Sequence, residues 1–435
     1  MAEYFLLSGC YLLSFGIILK LMYRDYVQQG LSFHLLFSAV YVMTFFFGFP
    51  FSMVMVWGFG YQAEDVATLT TTILTALSAY LMYYASYHGV ALWRRWSFCR
   101  CRIEVRSFAK KEAELTACML LLIVLTTMGA FLYLNEGFLL FKLEKYHQIF
   151  SPIVDAVALK RFFYFFIPAL LIFFFLKPSR KTWWIFLIIG LGLGMLSYLS
   201  VGGTRANIAF AFALFCFIGL DKKYLSIKWV LFGGLSAVIV MFLLALIRYK
   251  LNVSGSEALF TFLYMSRDTF SPWENVATIL NSPIEFQGLM PIIRDFYVFI
   301  PREIWGERPD IVWNSANYFT KEILGNTSGL AISPTLLGSF YIMGGFPMIV
   351  AGMVVIGGIV NLFDKLFNYA KAHDNQGVSA LIQAYCWGNI FNFAVLVREG
   401  ADSFVSRFVF YTVICLCCWG TARMIIRFYT EKNEI

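Results

Sequence analysis

Residues Ala67–Trp93 read ATLTTTILTALSAYLMYYASYHGVALW, and residues Arg94–Glu112, directly after them, read RRWSFCRCRIEVRSFAKKE. The first stretch holds no Asp, Glu, Lys or Arg and exceeds the roughly 18 to 20 apolar residues that cross a bilayer. The second gathers Arg94, Arg95, Arg100, Arg102, Arg106, Lys110 and Lys111 in one connection. Short loops rich in Lys and Arg stay on the cytoplasmic side. The pair reads as a membrane span ending in the cytoplasm, and this reading organises the rest of the chain.

The 435 residues are 60% hydrophobic and only 14% charged, well below the roughly 25% charge of a soluble domain. Apolar runs recur from end to end, so the expected fold is all-α and polytopic. The pattern predicts eleven spans, at 4–22, 31–57, 67–93, 117–134, 162–176, 183–200, 207–220, 229–247, 336–362, 378–396 and 404–424. The first lacks a basic start and a small-residue cleavage site, and so reads as a span and not as a cleavable signal.

Counting from the basic loop places KPSRK (Lys177–Lys181), DKK (Asp221–Lys223) and the basic carboxyl-terminal tail inside. The amino terminus is then expected outside and the carboxyl terminus in the cytoplasm. The net charge of +8 is thus a topology signal and gives no basic stripe for nucleic acid. None of the nine cysteines falls in the segments expected outside, so no disulfide framework is implied.

Three regions follow: 1–247 with eight spans, 248–333 as a large outer loop, and 334–435 with three spans and the tail. Within the first, residues 135–161 have the spacing of an amphipathic interfacial helix. Within the last, Gly344, Gly345 and Pro347 interrupt an apolar run too long for one crossing. That run reads either as a surface helix followed by a span or as one kinked, tilted helix.

Charge in the apolar layer locates the chemistry, because each buried ion is costly and has work or a partner. In YLSVGGTRANIAF (Tyr198–Phe210), Arg205 follows a Gly202-Gly203 turn at the expected outer boundary. The same side holds Arg267-Asp268, Arg294-Asp295, and the loop LVREGADSFVSRF with Arg398, Glu399, Asp402 and Arg407. Guanidinium groups bind phosphate oxygens bidentately and never deprotonate. A carboxylate beside them can take a proton from a sugar hydroxyl. Arg205, Arg267, Arg294, Arg398 and Arg407 are therefore candidates for a pyrophosphate site, and Asp268, Asp295, Glu399 and Asp402 for the base. Asp268 and Glu399 are favoured. His147, the one histidine expected outside, together with Tyr264, Trp273 and Tyr297, are candidates for contacting sugar. His34, His88 and His373 read as structural. No HExxH, Walker loop or nucleophile elbow is present, and no metal or cofactor is implied.

The stretches GFLLFKLEKYHQIF, ALKRFFYFFIPA, SVGGTRANI, NVSGSEALFTFLYMSRDTFSPWENVA, QGLMPIIRDFYVFIP, NSANYFT, SGLAISPTLLGS and REGADSFVSRF resemble the enterobacterial common antigen polymerases, which are Wzy-type enzymes. The usual Gly-Ser-Arg turn of the wider group is Gly-Gly-Thr-Arg here. The resemblance implies a GT-C-like, metal-independent glycosyltransferase in the bacterial inner membrane, working at the periplasmic face. Its substrate would be a trisaccharide on undecaprenyl pyrophosphate, made of N-acetylglucosamine, N-acetylmannosaminuronic acid and 4-acetamido-4,6-dideoxygalactose. The growing glycan would pass to the non-reducing end of the incoming unit. A Wzx-type flippase and a Wzz-type chain-length regulator would be partners, besides membrane lipid. A flippase for the lipid-linked glycan, or a ligase using the same donor, are the alternative readings.

Overall fold

The computed structural model describes residues 2–89, 109–142, 154–202, 206–226, 255–297, 305, 314–327 and 331–433, with scattered positions between 228 and 239. The described residues are helical without strands. The helices are α1 (Ala2–Gln29), α2 (Phe33–Phe45), α3 (Phe49–Phe59), α4 (Val66–Gly89), α5 (Ala109–Leu134), α6 (Phe166–Leu176), α7 (Arg180–Val201), α8 (Ala206–Asp221), α9 (Gly255–Phe270), α10 (Glu274–Leu280), α11 (Met290–Tyr297), α12 (Thr335–Lys371), α13 (Gln376–Gly388), α14 (Ile390–Glu399) and α15 (Ala401–Asn433). Among the described residues nine helical stretches are long and apolar enough to cross a membrane, and α8 is a shorter apolar helix. The chain is an all-α polytopic membrane protein. Most of the span expected at 229–247 lies outside the described residues.

The chain divides into two compact units. The first comprises Met1–Trp96, Lys228–Asp364 and Asn392–Ser406; the second comprises Ser97–Ile227, Lys365–Phe391 and Arg407–Ile435.

In the first unit, α4 carries Tyr80, Tyr83, Tyr84 and Tyr87 at helical spacing on one stripe. Their hydroxyls find partners across the packed faces, as buried polar groups must. Tyr80 donates to Ser38 Oγ at 2.9 Å and Tyr87 to Asp364 Oδ2 at 2.8 Å. Asp364, on α12, also accepts the backbone N–H groups of Phe33 and His34 at 2.7 and 3.1 Å. Those two donors are orphans of the first turn of α2, so a distant carboxylate completes that helix start.

The long helix α12 is broken where the sequence places its glycines. Gly344 and Gly345 leave helical geometry, with Gly345 at φ +68°. The carbonyls of Ile342 and Met343 accept the N–H groups of Gln287 and Gly288, at 3.0 and 2.8 Å. Ile342 joins Ile279 and Phe319 in a buried cluster, with Ile284, Ile323 and Ile332 packed on it. The amino-terminal part of α12 is therefore fastened to the 255–333 segment, of which the described parts are mainly short helices.

The second unit is built around α6, whose residues are almost all buried. The Gln376 amide donates to the free carbonyl of Leu176 at the end of α6, at 2.7 Å. Helices α7 and α8 are pinned by Trp183, which stacks on Phe215 at 4.1 Å and donates to its carbonyl at 3.0 Å. Ser179 and Thr182 form a reciprocal cap at the start of α7, and Gly202 ends that helix at φ +81°.

Residues 135–161 do not form one continuous helix. Glu136 and Gly137 sit at φ 52° and 120° and stop α5. The Asn135 side chain then exchanges two hydrogen bonds with the Asp155 backbone, each 3.1 Å. A short helix at Leu139–Lys142 and a 3-10 helix at Val157–Phe165 carry its described ends; residues 143–153 lie outside the described residues.

Candidate active site and substrate-binding residues

The charged residues singled out by sequence fall into three situations. Arg205 and His147 lie outside the described residues, as do the side chains of Asp295 and Tyr297. What surrounds Arg205 is described: Gly202 makes the left-handed turn before it. Asn207, just after it, donates to Ser197 Oγ at 2.7 Å and ties the start of α8 back to α7.

In the first unit, Arg267 on α9 is 6% exposed and faces Glu274 on α10, with Nη1 and Oε2 2.7 Å apart. Glu274 is 9% exposed and also accepts from Tyr61 at 3.1 Å and from the Ser52 hydroxyl. The guanidinium lies over two rings, 5.0 Å from the Tyr61 centroid and 4.9 Å from that of Tyr264, a cation–π arrangement. Burial opposes its charge, but Glu274 and Tyr61 outweigh that and hold Arg267 above its ordinary pKa. Burial and the Glu274 charge likewise push the Tyr61 hydroxyl up. Arg267, Glu274, Tyr61 and Ser52 are occupied with one another.

This cluster makes a rigid platform. Thr278 and Asn281 on α10 donate to the two oxygens of Glu64, at 3.0 and 3.2 Å, so the α3–α4 turn is fastened to α10. Ser271, between α9 and α10, donates to the Thr44 carbonyl at 2.8 Å and packs against Gly48. Asp268 stands next to Arg267 on the exposed side of α9. Trp273 is 1% exposed and packs on Phe49 at 5.7 Å. That burial corrects the expectation of a sugar contact at Trp273, because no sugar face can reach its ring. Tyr264 keeps an exposed ring.

Arg294 is half-buried on α11; Arg398 is exposed and Glu399 half-buried at the end of α14. The Arg398 carbonyl accepts from the Ser333 hydroxyl. Asp402 is buried, and its Oδ2 accepts the Ser315 N–H at 2.8 Å. It thereby holds the turn that starts the short helix Ser315–Tyr318. A carboxylate in that position anchors the backbone at Ser315.

In the second unit, Arg407 on α15 lies over the Phe391 ring at 5.7 Å. It and Arg161 both act electrostatically on the Lys160 ammonium. Lys160 is half-buried where the 3-10 helix Val157–Phe165 leads into α6.

Sequence reasoning singled out Arg267 and Arg407 but not Glu274 and Tyr61, which pack against Arg267, nor Lys160 and Arg161. Glu274 stands seven residues from Arg267, beyond Pro272, and no local periodicity links the two. Lys160 and Arg161 form a dibasic pair that reads locally as a membrane-boundary signal.

The fold defines an all-α polytopic membrane protein. Residues 1–433 match the family model described as WzyE protein, O-antigen assembly polymerase. The chain belongs to the WzyE family and is thus a repeat-unit polymerase acting on a lipid-linked oligosaccharide. No solved structure matches it.

Proposed function

We propose that the chain polymerises the trisaccharide repeat of enterobacterial common antigen at the periplasmic face of the inner membrane. The growing glycan leaves undecaprenyl pyrophosphate and joins the non-reducing end of an incoming lipid-linked unit. The acceptor hydroxyl oxygen attacks the anomeric carbon, the bond from that carbon to the pyrophosphate oxygen breaks, and the hydroxyl proton passes to a carboxylate. Undecaprenyl pyrophosphate departs already charged, so no strong general acid is needed.

What supports this reading is the match of residues 1–433 to the WzyE family model, and Lys160, Arg161 and Arg407 of the second unit are the cations to test. Together with Arg205, these cations hold the pyrophosphate and do the work of a divalent ion. Arg294 and Arg398, in the first unit, are phosphate-contact candidates to be tested in their own right. Arg267, locked on Glu274, positions α9 and leaves Asp268 exposed beside it. Asp268 and Glu399 are the bases to test, with Tyr264 available to a sugar face. The 248–333 loop handles the acceptor, a Wzz-type regulator sets chain length and a Wzx-type flippase supplies units.

The test is polymer laddering in cells that lack their own polymerase, complemented by wild type, Arg407→Ala, Lys160→Ala, Arg205→Ala, Asp268→Asn or Glu399→Gln at matched membrane levels. Loss of one preorganised charge contact costs roughly 100-fold or more in turnover, so the cation variants lose the ladder and accumulate single units on the periplasmic side. Full ladders from all cation variants overturn the pyrophosphate assignment. Single units trapped in the cytoplasmic leaflet indicate a flippase, and glycan moved to a different acceptor indicates a ligase.

A further inference from the structure

We propose that Asp25, His34 and His88 form a binding site for a divalent transition-metal ion, of which Zn2+ is the representative. The site lies at the end of α1, α2 and α4 remote from the α3–α4 turn, and the reading above does not use it.

The three residues come from the last turns of α1, the first turn of α2 and the last turn of α4, and each offers one ligand atom, all within 4.8 Å of one another. His34 Nε2 lies 3.0 Å and His88 Nε2 3.2 Å from the same oxygen, Asp25 Oδ2. Tetrahedral coordination at metal–ligand lengths of about 2.1 Å puts ligand atoms about 3.4 Å apart. The two nitrogen–oxygen spacings are within a few tenths of an ångström of that. Two imidazole nitrogens and a carboxylate oxygen suit Zn2+ and its first-row neighbours, and leave a position for water.

The supporting contacts point the same way. Metal-binding imidazoles are held through their other nitrogen, and His34 Nδ1 lies 2.8 Å from the Tyr83 hydroxyl. With Nδ1–H donating there, Nε2 presents its lone pair. The ring is fixed by stacking on Tyr87 at 4.3 Å, and its backbone N–H by Asp364. Asp25 is 2% exposed, and its other oxygen, Oδ1, accepts from Tyr84 at 3.1 Å and pairs with Arg24 at 3.4 Å. Oδ2 is thereby left facing the two imidazoles. His88 is 33% exposed, so an ion has a way in from the surface. Bound there, it clips three helix ends together.

The test uses full-length protein in detergent, purified on a tag without histidine, with Co2+ and Zn2+ as probes. The wild type should take up one Co2+ per chain with the visible bands of a four- or five-coordinate site. Zn2+ should displace it and raise the unfolding temperature, and a chelator should reverse that rise. His88→Gln and Asp25→Asn should abolish the bands, and Tyr83→Phe should weaken Co2+ binding roughly 10- to 100-fold. His88 is partly exposed, so its variant folds and still polymerises, which separates this proposal from the assignment of the pyrophosphate residues. No Co2+ uptake by the wild type, or equal uptake by wild type, His88→Gln and Asp25→Asn, overturns the site; the latter result means an adventitious ion only.

Discussion

At the scale of single residues, Arg267 and Glu274 decide between two readings of a buried cation. Removing one partner of a buried pair leaves an uncompensated charge and costs about 3–5 kcal/mol, whereas removing both costs less than the sum. Glu274→Ala should therefore destabilise strongly, and Arg267→Ala/Glu274→Ala should recover part of that loss, read by thermal unfolding in detergent. If the double variant is as unstable as the two singles summed, the pair is not coupled. Arg267 was legible in the sequence as a charge needing a partner. Its partner was not, because Ser52, Tyr61 and Glu274 meet only when α3, α9 and α10 pack together. The same limit hid the convergence of Asp25, His34 and His88, each of which reads alone as a satisfied polar residue.

Elements were more legible, since hydropathy and turn chemistry act locally. The Gly344-Gly345 break in α12 was readable from composition, but what stabilises it was not. The freed carbonyls of Ile342 and Met343 are taken by Gln287 and Gly288 from a distant stretch of chain. Gly345 sits at φ +68°, and a Cβ there would come within 3.1 Å of the Phe286 ring. Gly345→Ala should cost about 1–3 kcal/mol from backbone strain. Pro347→Ala should change little, because Pro347 lies near the start of the second helical part, where its missing N–H is no loss. Unfolding temperatures of the two variants measure this, and equal values refute the account of the kink. At the start of α4, Asp65 accepts the Thr68 N–H at 3.0 Å, and hydrogen bonding by the Thr68 side chain and backbone N–H holds its carboxyl below the ordinary value. A depressed pKa contributes stability above the unfolded value, and this is lost as pH falls through the folded one. Asp65→Asn should flatten the acid limb of the stability profile, and an unchanged limb excludes the carboxylate as its source.

For the whole molecule, orientation is the property on which every functional assignment depends. The basic connection after the third span, the basic tail and the short loops at 177–181 and 221–223 set it by one physical rule. Under the proposed orientation Asp65 and Asp268 lie in the periplasm, and Lys222 and Asp374 in the cytoplasm. In a background with the nine native cysteines replaced, single cysteines at 65, 268, 222 and 374 report this directly. A membrane-impermeant maleimide added to intact cells with a permeabilised outer membrane should label Asp65→Cys and Asp268→Cys. Lys222→Cys and Asp374→Cys should react only after the inner membrane is opened. The reverse pattern would move Asp268 and the whole platform around Arg267 into the cytoplasm, away from any periplasmic acceptor. It would also carry Asp25, His34 and His88 to the periplasmic side. A mixed pattern, with 65 and 268 on opposite sides, is incompatible with the hydrogen bonds that join the α3–α4 turn to α10, and would overturn the arrangement of the first unit itself.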